Sequence, residues 1–84
     1  MTNDEKRYKK EITYFGSKVK ELRENQNMTQ LDLELSSGIN RTEISRIENG
    51  QNNIEFFTIV KLAEALHVEL LDFFNFEHER EHIL

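Results

Sequence analysis

Eighty-four residues with a hydrophobic fraction of 37% are enough for one small core and not for two. The chain has no cysteine, which excludes disulfides and thiolate zinc sites and fits a reducing compartment. Its start, MTNDEKRYKK, is polar, and no apolar run approaches the ~20 residues of a membrane span, so the expectation is a cytoplasmic protein without a signal peptide. The net charge of −5 is unevenly spread: +2 over residues 1–25, −2 over 26–53 and −5 over 54–84. The acidity therefore belongs mostly to the last third, and says little about a site elsewhere.

There is no proline to break a helix and little β-branched clustering to favour strands. Residues 1–10 read as a basic segment. Phe15, Val19 and Leu22 then fall at i, i+4 and i+7, one apolar stripe, and place a first helix at about Lys10–Asn25. Thr29 is a good N-cap with Asp32 three residues on, so a second helix runs over about Gln30–Ser37 until Gly38 stops it. Asn40 is another strong cap, with Glu43 three residues on; it opens a third helix, about Arg41–Glu48, whose inward positions are Ile44 and Ile47. After the loop QNNIE, a fourth helix over about Glu55–Leu66 carries Phe56, Ile59, Leu62, Ala63 and Leu66 on its apolar face. A fifth begins near Glu69 with Leu70, Phe73 and Phe74. The reading divides the chain into a basic arm (1–10), an all-α five-helix domain (11–76) and a charged tail (77–84).

Two short helices joined by Ser37-Gly38-Ile39 have the helix-turn-helix layout. The glycine allows a sharp reversal, Ile39 fills the gap between the helices, and Leu33, Ile44 and Ile47 pin both to the core. Over residues 15–74 the chain resembles the Cro/repressor-type (xenobiotic-response-element-type) helix-turn-helix family of bacteria and phages. The specific pieces are Gln30 opening the second helix, SGI at the turn, ISRIENG and KLAEALHV.

That resemblance implies a lambda-repressor-like fold and a sequence-specific DNA-binding transcriptional regulator. It implies that the third helix enters the major groove, with Asn40, Arg41, Thr42, Glu43, Ser45 and Arg46 at the base-facing positions. Gln30 would contact phosphate and brace the reading helix, and Asn49, Gln51, Asn52 and Asn53 would touch the DNA backbone. It also implies an ion pair between Arg23 and Glu48. The chemistry suits these roles: Arg41 can donate twice to guanine, Thr42 offers a methyl to thymine, and Glu43 can accept from cytosine. Where the family usually has a small residue the chain has Glu34, which must tilt outward or find a partner. Leu31 and Leu35 stand at usually polar places. His67 stands where a left-handed glycine is common.

Some residues keep two readings. Glu43 either completes the Asn40 cap, with Arg46 as a second partner, or reads a base. KRYKK is either a solvated start to the first helix or an arm along the backbone. Phe56, Phe73 and Phe74 read as core. Phe57, Leu71 and Phe76 are apolar at outward positions and read as a homodimer interface, which suits a DNA operator with two half-sites. His78 and His82 have chelating spacing but read as an exposed tail; no metal, cofactor or small-molecule ligand is expected, and no catalytic constellation is present. Phage-type repressors, antitoxins and restriction–modification controllers are all built on this plan. A protein-interaction module on the same scaffold is the alternative from another class.

Overall fold

The computed structural model describes residues 1–51 and 53–75. Among these are four α-helices and one 3-10 helix: α1 (Asn3–Asn25), α2 (Gln30–Ser37), α3 (Arg41–Glu48), α4 (Phe56–Leu66) and the 3-10 helix Leu70–Phe74.

α2 and α3 occupy the ranges that local spacing predicts, because their ends are set by local hydrogen bonds. Thr29 and Asp32 cap α2 reciprocally: the Asp32 N–H donates to Thr29 Oγ1 (3.0 Å) and the Thr29 N–H donates to Asp32 Oδ2 (2.8 Å). Hydrogen bonds to the carboxyl from the Thr29 N–H, and secondarily from the Thr29 hydroxyl, hold Asp32 below the usual carboxylate range. Gly38 ends α2 in the left-handed region at φ 77°, donating its N–H to the Glu34 carbonyl (2.9 Å). Ile39 is buried directly after it, and its N–H donates to Ser37 Oγ, which in turn donates to the Leu33 carbonyl. His67 closes α4 in the left-handed region without being a glycine, at φ 57°.

Three expectations need correction. The first helix starts at Asn3 rather than near Lys10, so the KRYKK segment, left open between a solvated helix start and an arm, lies in its first turns. The cause is a complete capping box between Thr2 and Glu5, a signal independent of the apolar stripe. The fifth helix is a short 3-10 helix, closed by an i to i+3 bond from the Asp72 N–H to the Glu69 carbonyl (3.0 Å). Phe56 is 67% exposed, because it sits in the first turn of α4, ahead of the residues that reach the core. Phe74 is half exposed, its ring centroid 5.6 Å from that of Phe15.

Phe15 and Val19 of α1, Leu33 of α2, Ile44 and Ile47 of α3, Leu62 and Leu66 of α4 and Phe73 of the 3-10 helix form one core. Gly16 decides how closely α1 approaches α3. A β-carbon there would run into the Ile47 carbonyl oxygen and the Glu48 backbone, which cannot swing aside as a side chain can. At the other end of α1 the Gln26 side chain donates to the Leu66 carbonyl and ties α1 to α4.

Gly16→Ala should therefore lower thermal stability by about 1–3 kcal/mol or more, the range for forced overpacking. Gly38→Ala meets open space and has only its left-handed backbone to strain, about 1–2 kcal/mol. Thermal melts of the two variants should rank Gly16→Ala as the more damaging.

Candidate DNA-reading site

The site is organised by a buried ion pair. Arg23, near the end of α1, donates from Nε to Glu48 Oε2 (2.7 Å) and from Nη2 to Glu48 Oε1 (3.0 Å). Both residues are 7% exposed. The remaining guanidinium nitrogen, Nη1, donates to the Met28 carbonyl (2.6 Å), and Gln30 Nε2 donates to Glu48 Oε1 (3.1 Å). Hydrogen bonding to the Glu48 carboxylate pushes the Arg23 guanidinium above its ordinary pKa, against the opposing effect of burial. One network thus joins the end of α1, the first residue of α2 and the last residue of α3.

On that support α3 turns Ile44, Ile47 and Glu48 inward. Arg41, Thr42 and Arg46 are exposed, with Ser45 partly exposed beside them, so the helix shows a polar face rich in donors. Neither arginine has an ion-pair partner among the described residues.

Asn40 is exposed and caps α3 by accepting from the Glu43 N–H at 2.8 Å. The Glu43 side chain does not return a bond to the Asn40 backbone, and no Glu43–Arg46 ion pair forms among the described residues. Neither of the local roles expected for the Glu43 carboxylate is therefore present. The Asn40 cap needs only the Glu43 backbone. A different acid supplies the second bond at this helix start: Glu34 Oε2 accepts from the Arg41 N–H at 3.1 Å. Glu34 thus finds its partner across the turn, on the first residue of α3. Sequence reasoning flagged the position, but the partner lies seven residues away across a change of direction.

Asn49, Gln51 and Asn53 are exposed in the loop after α3; Asn52 lies outside the described residues. The loop is tightly folded, with the Gly50 N–H on the Ile47 carbonyl (3.0 Å) and the Gln51 N–H on the Arg46 carbonyl (2.9 Å). Beyond it α4 begins at Phe56, and its N-cap residue Glu55 makes no side-chain cap, unlike those of α1, α2 and α3. Phe57 and Leu71 are 68% and 76% exposed, and Phe76 lies outside the described residues, as do His78 and His82. No group of three or more metal-ligating side chains occurs among the described residues, and none of their helices is long and apolar enough to cross a membrane.

Residues 19–73 match the model of the helix-turn-helix family. The chain belongs to that family. It is similar to the control protein C.BamHI of Bacillus amyloliquefaciens, 38% identical over 63 residues that make up 74% of this chain and 78% of the relative. It is 44% identical over 55 residues to the transcriptional repressor RghR of Bacillus subtilis strain 168, covering 64% of this chain and 41% of that one. Among solved structures it is similar to the restriction–modification controller protein C.AhdI of Aeromonas hydrophila. That match has a TM-score of 0.72 and 34% identity, covering 74% of this chain and 94% of the other.

Removing either member of the ion pair leaves the other buried and uncompensated. Arg23→Ala and Glu48→Ala should each cost about 3–5 kcal/mol in chemical denaturation. The double variant should cost clearly less than their sum; strict additivity would show that the two side chains do not act together.

Proposed function

We propose that the protein is a sequence-specific DNA-binding transcriptional regulator of the restriction–modification controller type, acting as a homodimer. The observation that carries this reading is the exposed Arg41, Thr42 and Arg46 face of α3, held against the core through Glu48 and Arg23. A short helix presented rigidly and rich in donors suits insertion in the major groove. The relatives named as control proteins, similar over most of their length, support the controller type.

In this reading Arg41 donates to a guanine edge, Thr42 offers its methyl to thymine, and Asn40, Ser45 and Arg46 contact neighbouring base edges or phosphates. Glu43, half-buried and without a local bond among the described residues, accepts from a cytosine amino group. Gln30 braces α3 through Glu48 and reaches phosphate beside it. Asn49, Gln51, Asn52 and Asn53 meet the DNA backbone, joined by the uncapped first-turn amides of α4. The exposed Phe57 and Leu71, on two elements that pack against each other, and Phe76 after them form the contact between protomers. Two reading helices related by a two-fold axis then address two half-sites about one turn of DNA apart.

Selection from a random duplex pool should recover a two-fold symmetric sequence. Arg41→Ala should weaken binding to that sequence by about 1–3 kcal/mol with little change on random DNA. Equal loss on both would remove Arg41 from base reading. Leu71→Asp or Phe57→Asp should shift the protein toward monomer in sedimentation at micromolar concentration and weaken operator binding in parallel; an unchanged association state would place the protomer contact elsewhere.

A further inference from the structure

The first turns of α1 are not explained by the core. Residues 1–10 are all exposed, and the first fully buried residue of the helix is Phe15. A 23-residue helix is about 34 Å long, close to the 37 Å longest dimension of the molecule. The helix therefore runs well past the packed part of the domain. Its projecting turns are stabilised at the end by Thr2 and Glu5 rather than by burial.

The charges on this projection are sorted. Glu5 is committed to the cap, accepting from the Thr2 N–H (3.1 Å) and hydroxyl (3.0 Å), and Arg7 pairs with Glu11 at 3.5 Å. Lys6, Lys9 and Lys10 have no carboxylate partner among the described residues. At about 100° per residue these three lysines and Thr13 share one side of the helix, with Asp4 and Glu11 on the opposite side. The Lys9 and Thr13 edge of that side borders the loop after α3. Gly50 approaches the Thr13 backbone so closely that a β-carbon on it would lie 3.0 Å from Thr13 Cα. Lys9 and Thr13 line one open groove of about 840 Å³ together with Asn49, Gly50 and Gln51.

We propose that the N-terminal half of α1 is a second DNA-backbone surface, in which Lys6, Lys9 and Lys10 meet phosphates adjoining those reached by the loop after α3. This rests on the DNA-binding reading above and extends the DNA-facing surface beyond the helix-turn-helix itself. The groove is open, with Lys9 and the cap-bound Glu5 on its α1 wall, and Lys6 and Lys10 stand beside Lys9 on the same exposed side; lysines act on a phosphodiester strand as point charges, and the helix holds them in fixed register. The surface adds affinity without base discrimination, because phosphate is the same at every step.

The test compares the full chain with a Lys6→Gln, Lys9→Gln, Lys10→Gln variant on the selected operator and on a scrambled duplex, across a salt series. Glutamine keeps helix propensity, and circular dichroism should show unchanged helix content. The slope of log affinity against log salt should fall by about 0.9 for each phosphate that is no longer neutralised, or about 2–3 per protomer. The affinity loss, on the order of a hundredfold per protomer at 0.1 M salt, should be equal on the two duplexes. Arginine at the same three positions should restore the slope. An Arg7→Gln, Lys18→Gln variant, which removes bases already paired with Glu11 and Glu21, should keep it. A slope unchanged in the triple glutamine variant, or lowered as much by the Arg7/Lys18 control, overturns the proposal while leaving the operator reading intact. Absence of salt-dependent binding by the unaltered chain overturns both.

Discussion

The bidentate pair between Arg23 and Glu48 is the constraint on which the rest of the site depends. Removing two charges from water is costly, and their attraction offsets it only when the geometry is good and further hydrogen bonds support both groups. Here the geometry meets that condition: two bonds between the partners, one from Arg23 to the Met28 carbonyl and one from Gln30 to the carboxylate. What such a pair adds over an apolar contact is direction. α3 cannot roll or slide along α1 without stranding a buried charge. Gly16, two turns earlier on the same face of α1, sets the distance at which the pair can form, because only a missing side chain lets the α1 backbone lie against the carbonyl of Ile47.

The same constraint resolves how an acidic chain can carry a donor-rich face. In the middle third, Asp32 is taken up by the α2 cap, Glu34 by the Arg41 backbone and Glu48 by Arg23 and Gln30. Each of these acids is engaged by a backbone N–H or a buried cation, so the exposed side of α3 is left to Arg41, Thr42 and Arg46. Glu43 is the exception, with a backbone that serves the cap and a side chain that does not. Summed charge is a poor guide to a surface when most of its acids are inward or occupied.

The molecule is also polarised by what lies outside its core. Lysines project on α1 without carboxylate partners among the described residues, while the start of α4 and the 3-10 helix expose Phe56, Phe57 and Leu71. A chain of this size buries a limited fraction of its surface. The remainder is divided by chemistry: one surface carries cations suited to a polyanion, another carries apolar area suited to a second protein surface.

Sequence alone determined what depends on residues three or four apart. The apolar stripes, the Thr29 and Asn40 caps and the left-handed stop at Gly38 place α2 and α3 at their observed limits, since each is closed by bonds within one turn. The early start of α1 was equally local, written in Thr2 and Glu5, but an apolar stripe beginning at Phe15 conceals it. The Arg23–Glu48 pair is implied by resemblance and not by spacing, while the partner of Glu34, the exposure of Phe56 and the groove between Lys9 and Gly50 belong to the tertiary structure. They depend on the distance and angle at which helices cross. Spacing along a chain does not encode those quantities; the packing of Gly16 against α3 and the filling of the core by Ile44, Ile47 and Phe73 decide them.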